Sequence, residues 1–176
     1  MLKAVLTRFL VSVLLPLLAF LVPGKAATPT TEVPVDYAAL LNMNYCYGTS
    51  FSDSDIATGT LLSLLDLAEE DADGRLFLPV EQADLFSGAL YGKTVDYAQN
   101  GLQVEDGRIE IPAMGYSLYN HTLISTEEDG DRVKVVSKVV CEGHEGESFD
   151  ALCNSIFVKN ADSAFGYHLV SSEILA

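Results

Sequence analysis

Apolar residues recur at spacings of three and four in three segments of the N-terminal half, and this periodicity predicts helices. The first segment covers residues 35–47. The second begins at Ser52, a good N-cap residue, and runs into acidic residues 69–74. The third begins at Pro79, which suits the first turn of a helix, and Gly92 closes it.

From Tyr97 onward the pattern changes to an alternation of apolar and polar residues, which predicts strands. Asp106-Gly107 lies between two short alternating runs, and this pair is a strong signal for a two-residue hairpin. Longer strands are expected at residues 116–126, 132–141, 151–159 and 167–175. Helices followed by strands predict an α+β domain, with three N-terminal helices packed on one curved antiparallel sheet of about four to six strands.

Residues 1–26 have the three parts of a cleavable signal peptide. Lys3 and Arg8 precede an apolar run at residues 9–22, which is shorter than the roughly 20 residues of a spanning helix. Small residues precede a cut after Ala26; a cut after Ala27 and an uncleaved anchor are the alternatives. We expect a polar tether at 27–34, one domain at 35–176, and a secreted or cell-envelope location.

The net charge further restricts the partners. The whole chain carries −15, and the leader holds three of its ten Lys and Arg residues and no acid, so cleavage would leave −18. Such a surface repels nucleic acid and anionic membranes. We therefore expect no nucleic-acid partner and no membrane association after signal cleavage.

Cys46, Cys141 and Cys153 remain after cleavage, and export permits a disulfide. A hairpin with its turn at residues 142–148 would place Cys141 opposite Cys153, so this pair is favoured. Pairing of either with Cys46, or three buried thiols, are the alternatives.

Three segments of the chain, Leu78–Gly92, Val104–Tyr119 and Phe157–Leu175, resemble small exported bacterial proteins of unassigned function. The resemblance implies a cone-shaped α+β fold like that of nuclear transport factor 2, also called cystatin-like. Such a cone commonly encloses a pocket. In it, the resemblance implies a ligand-binding role for Tyr45, Tyr116, Tyr119 and His121.

Two kinds of chemistry are weighed against simple binding. The superfamily includes isomerases, so Asp96 as a base beside His121 and the tyrosines is one alternative. Glu69, Asp71 and Asp73 match half of a calcium loop, but Val80 stands where the bidentate acid belongs. We therefore expect no metal and no cofactor.

The sequence as a whole favours an exported, non-catalytic domain that binds a small ligand or a protein partner at or outside the cell surface. A small-molecule isomerase or lyase that uses the cone cavity is one alternative. A homodimerising envelope scaffold is the other.

Overall fold

A computed structural model describes residues 35–113, 115, 117–143 and 148–175. Its helices are α1 (Tyr37–Asn42), α2 (Asp53–Ser63) and α3 (Val80–Tyr91), with a 3-10 turn at Leu65–Leu67. The capping box predicted at Ser52 is confirmed, because Ser52 and Asp55 each accept a hydrogen bond from the other's backbone N–H. α3 ends at Gly92, whose φ of 78° is a left-handed conformation that glycine adopts without strain.

The first helix is shorter than predicted. It ends at Asn42, and residues 44–47 are not helical. The physical reason is Asn44, whose side chain accepts from the Cys46 N–H at 2.9 Å and donates to the Cys46 carbonyl oxygen at 2.7 Å. Asparagine offers the backbone such local bonds in place of a helix.

A small antiparallel sheet has the strand order β1-β2-β4-β3. Its strands are β1 (Glu69–Glu70), β2 (Leu76–Pro79), β3 (Val104–Glu105) and β4 (Arg108–Ile111). The predicted hairpin at Asp106-Gly107 is confirmed, and both residues have positive φ (50° and 74°), as a type I′ turn requires.

The large antiparallel sheet is a meander with the order β5-β6-β7-β8. Its strands are β5 (Leu118–Asp129), β6 (Arg132–Glu142), β7 (Ser148–Lys159) and β8 (Tyr167–Leu175). Val133, Val135 and Phe157 point into the core, so we call their side of the sheet the inner face and the opposite side the outer face.

The predicted fold class is wrong in its architecture. The described residues form two four-stranded sheets, not three helices on one curved sheet, and β1 and β2 lie between α2 and α3. An acidic linker was expected there. The apolar run Leu76-Phe77-Leu78 is instead a short strand with Phe77 and Leu78 buried, because β4 pairs with it.

The core lies between the helices and the inner face. α1 packs on β5 and α3 on β8. The largest fully buried side chains include Phe77, Phe157, Leu41 and Ile56. Among the described residues, no helix is long and apolar enough to cross a membrane.

Candidate functional site

The inner face of the large sheet changes along its strands from a covered apolar end to an open aromatic end. At the covered end, Val133 and Phe157 are cross-strand partners with no exposed surface. At the other end, Tyr119, Cys141 and Phe149 are cross-strand partners in one row. Phe149 points to the inner face together with Cys141, yet it is 49% exposed. The inner face is therefore open to solvent at this end.

A short connection, residues 43–48, crosses the inner face between α1 and α2. It starts beside β5, where the Asn42 side chain accepts the His121 backbone N–H at 2.6 Å. It ends at β8, where Gly48 and Ser172 exchange two backbone hydrogen bonds of 2.7 and 3.0 Å. We call residues 43–48 the crossing segment.

Asn44 fixes the shape of the crossing segment. It is fully buried, and its side chain closes a local ring with the backbone of Cys46. The hydroxyl of Tyr91 on α3 also donates to the Asn44 side-chain oxygen at 3.1 Å. A buried polar group with all these bonds is costly to displace, so the segment is held rigidly.

The crossing segment places two tyrosines over the open end of the sheet. The Tyr47 and Tyr119 rings are 4.7 Å apart between centroids, and the Tyr45 and Tyr119 rings meet edge-on at 6.0 Å. All three rings are half-buried. We call Tyr45, Tyr47, Tyr119 and Phe149 the aromatic end.

His121 lies beneath the aromatic end and is 5% exposed. The Tyr47 hydroxyl lies 3.1 Å from His121 Nε2 and 3.3 Å from the Asn44 carbonyl oxygen. His121 Nδ1 lies 2.9 Å from the Ser137 hydroxyl, so both ring nitrogens are hydrogen-bonded and the tautomer sets which of them donates. Burial lowers the pKa of His121 to about 4, so the ring is neutral at physiological pH.

Burial has the opposite effect on the tyrosines. It raises the pKa of Tyr47 and of Tyr119 above the ordinary value, because removal from water disfavours the phenolate. These hydroxyls therefore stay protonated. The aromatic end presents uncharged rings with hydrogen-bonding tips.

Small polar groups continue from Ser137 across the sheet. Cys153 is the cross-strand partner of Ser137, and its sulfur lies 3.3 Å from the Ser172 hydroxyl. The Ser155 and Ser172 hydroxyls are 3.0 Å apart. His121 with Ser137, and Cys153 with Ser155 and Ser172, form two separate buried groups in which every side chain has a hydrogen-bond partner, and neither presents an open nucleophile.

The predicted disulfide between Cys141 and Cys153 is wrong in its register. Cys141 pairs with Phe149 and Cys153 with Ser137, so the two cysteines lie in different rows. Cys46, Cys141 and Cys153 are all free and buried. The positions of cross-strand partners on β6 and β7 sum to 290, whereas a Cys141–Cys153 pair requires 294, so every partner differs from the predicted one.

Three of the four residues assigned to a ligand site, Tyr45, Tyr119 and His121, lie together. Tyr116 falls outside the described residues. Asp96 does not join them: it is exposed in the loop after α3, where its carboxylate accepts two hydrogen bonds from Gln99. The base expected of an isomerase is thus not beside His121.

Two members of the aromatic end were not assigned to the site from the sequence. Tyr47 lies in a predicted helix, and Phe149 lies between the predicted turn at 142–148 and the predicted strand at 151–159. The alternation of Phe149 with Ala151 and Cys153 was a usable signal, because residues two apart share one face of a strand.

The calcium motif forms the β1–β2 turn instead. The Asp71 carboxylate accepts from the backbone N–H groups of Asp73 and Arg75 at 2.9 Å and from the Arg75 guanidinium. Among the described residues, no three His, Cys, Asp or Glu side chains are grouped to hold a metal ion. Comparisons with protein-family models, curated proteins and solved structures give no match to this chain.

Proposed function

We propose that this chain is a non-catalytic binding domain that works after export, at or outside the cell surface, and captures a small uncharged molecule at the aromatic end. One observation carries the proposal. The Tyr45 and Tyr47 rings both contact Tyr119 at the open end of the inner face, and Phe149, two strands away in the same cross-strand row, is 49% exposed. Exposed aromatic rings in contact with one another are typical of ligand sites and interfaces.

The chemistry of the aromatic end favours an uncharged ligand with a flat apolar face. The rings offer apolar surface, and the tyrosine hydroxyls offer hydrogen bonds at its margin. The net charge of −15 disfavours an anion through its long-range field. Phe149 and the Tyr119 ring would lose exposed apolar surface when such a molecule binds, and this provides the driving force.

Binding is favoured over catalysis by the state of His121. Both of its ring nitrogens are hydrogen-bonded within the domain, to Tyr47 and Ser137. A general base must reach the proton that it removes, and His121 is too deeply buried to do so. Its position supports a role in orienting Tyr47.

A matched pair of fluorescent probes tests the proposal. N-phenyl-1-naphthylamine is uncharged, and 1-anilinonaphthalene-8-sulfonate carries the same rings with a sulfonate. We expect the uncharged probe to bind at least about tenfold more tightly, a difference of about 1.4 kcal/mol. Replacement of Tyr119→Leu should weaken its binding by a similar factor while keeping an apolar side chain on the strand.

Tyr167→Leu is the control, because Tyr167 is also half-buried on the large sheet but contacts Tyr37 and not the aromatic end. Its probe affinity should match that of the wild type. Two outcomes would remove the support for this site. One is an equal loss of probe affinity in the two variants, and the other is no detectable binding of the uncharged probe by the wild type.

A further inference from the structure

The outer face of the large sheet is not covered by any described helix, and it is partly apolar. None of the described helices packs on it, since α1 and α3 lie on the inner side. Outward positions on a solvated strand are normally polar. Here Leu152 is 47% and Leu175 is 41% exposed, and these two residues are cross-strand partners. Together with Lys138 and Asp150 they line a shallow depression of about 420 Å³.

Apolar residues continue from this depression over the middle of the face. Val136 on β6 and Ile156 on β7 point outward and are half-buried, and their cross-strand partners are Asn154 and Lys134. Val140 extends the apolar surface on the other side of Lys138. The result is an apolar surface on β6, β7 and β8 that is broken by single charges.

The outer face holds a large share of the cations of this acidic chain. Outside the leader the chain has seven Lys and Arg residues, and three of them, Arg132, Lys134 and Lys138, point outward from β6. Five acids share this face. Glu127 and Asp129 on β5 are cross-strand partners of Lys134 and Arg132, and Asp150 on β7 forms an ion pair with Lys138 at 2.5 Å. The other two are Glu142 on β6 and Glu173 on β8. The face thus carries three cations and five acids, whereas the rest of the chain outside the leader carries four cations and twenty acids, so two copies repel each other less here than elsewhere.

We infer that the outer face of the large sheet binds a second copy of this chain, face to face and about a twofold axis. An axis that runs along β7 stacks Leu152 and Ile156 on the same residues of the partner. It also places the β6 lysines of each copy over β8 of the other, where Glu173 lies. A self-complementary patch of this kind is what a twofold interface requires.

The size of the face suits this partner. An axis along β7 overlaps β6, β7 and β8 of the two copies and leaves β5 outside. Three strands spaced by about 4.8 Å, each about eleven residues long at 3.3 Å per residue, give a footprint of roughly 500 Å² per copy. Two copies then bury roughly 1,000 Å² in total, which is the lower bound for a specific interface. Face-to-face packing of two sheets is also a regular arrangement, with the strands about 30° apart.

Sedimentation equilibrium on the chain, purified as the cell produces it, tests the inference. We expect a monomer–dimer equilibrium that strengthens when sodium chloride is raised from about 50 to 300 mM, because salt screens the repulsion between two acidic copies. Leu152→Glu should weaken the dimer at least tenfold, since each interface then receives two carboxylates near the axis.

Leu85→Glu is the matched control. Leu85 is 44% exposed on α3, so the same substitution at nearly the same exposure should leave the dimer constant unchanged. Lys138→Glu, which keeps the apolar surface but removes a cation, should also weaken the dimer. Circular dichroism of each variant checks that it folds. A monomer up to 300 µM, or equal dimer constants for Leu152→Glu and Leu85→Glu, would overturn the inference.

Discussion

At the residue scale, His121 is a titratable side chain that the fold removes from water. It lies neutral beneath the Tyr47 and Tyr119 rings, and the groups that face its ring nitrogens are the uncharged hydroxyls of Tyr47 and Ser137. Its pKa is about 4 in the fold against 6.5 when exposed. Protonation in the fold would remove a hydrogen-bond acceptor and bury a charge.

This shift predicts a pH dependence of stability. Between pH 6.5 and about 4 the unfolded chain binds a proton at His121 that the fold does not, so unfolding becomes more favourable as the pH falls. The contribution is fully present above pH 6.5, and about 1.4 kcal/mol is lost per pH unit below it, to a total of about 3 kcal/mol.

Urea unfolding from pH 7 to 4 measures this loss. His121→Gln is the comparison, because glutamine retains a donor and an acceptor but does not titrate in this range. The wild type should lose more unfolding free energy than the variant over the interval. Parallel pH profiles for the two proteins would show that His121 is not responsible.

At the scale of elements, helix α2 is joined to the crossing segment by a close contact. A Cβ at Gly59 would lie 2.5 Å from the Cys46 sulfur. The Cys46 thiol is held there, since it donates to the Asp55 carbonyl oxygen at 3.2 Å. Glycine at this position lets α2 approach the segment that carries Tyr45 and Tyr47.

Gly59→Ala should therefore lower the free energy of unfolding by about 1–3 kcal/mol through overpacking, although alanine is the better helix former. Gly88→Ala on α3 is the control, because its Cβ would meet only the Thr94 methyl at 4.0 Å. It should be neutral or stabilising. Adding Cys46→Ala to Gly59→Ala should recover part of the loss, as coupled neighbours do. Thermal unfolding of the four proteins checks this, and equal effects of the two glycine replacements would count against it.

Elements defined by local chemistry could be predicted from the sequence, and those defined by distant contacts could not. The Ser52 capping box and the Asp106-Gly107 turn each depend on a few adjacent residues. The β1–β2 hairpin depends on β4, which pairs with β2 more than thirty residues later. The Cys141 register depends on where the turn closes, and a shift of one position changes every partner.

In the candidate site, too, some contacts follow from local sequence and others depend on distant residues. Tyr119 and His121 lie on one strand with the period of two that places them on one face, so their proximity was predictable. The contribution of Tyr47 was not, because it requires the chain to leave the helix after Asn42 and to run across the sheet to β8. That path is set by Tyr91 and Ser172, which lie 47 and 124 residues away from the groups that they bind.

At the scale of the whole molecule, repulsion between carboxylates destabilises the folded chain. The chain has 25 acids against ten Lys and Arg, and residues 127–129 alone contribute three adjacent carboxylates. Five ion pairs occur among the described residues, all with partly exposed side chains. Such pairs contribute little each. The repulsion between carboxylates should therefore exceed the attraction within the ion pairs. Salt that screens both should then raise the free energy of unfolding.

We accordingly expect sodium chloride to stabilise the fold at pH 7. Screening shortens the Debye length from about 20 Å at 20 mM to below 8 Å at 300 mM. A gain of about 1 kcal/mol would raise the melting temperature by about 3 °C for a domain of this size. Calorimetry at a fixed protein concentration, low enough to keep the chain monomeric, measures the shift. Near the isoelectric pH of about 4.3 the net charge is close to zero, so the same salt increase should have a much smaller effect. A melting temperature that falls with salt at pH 7 would mean that the ion pairs outweigh the repulsion.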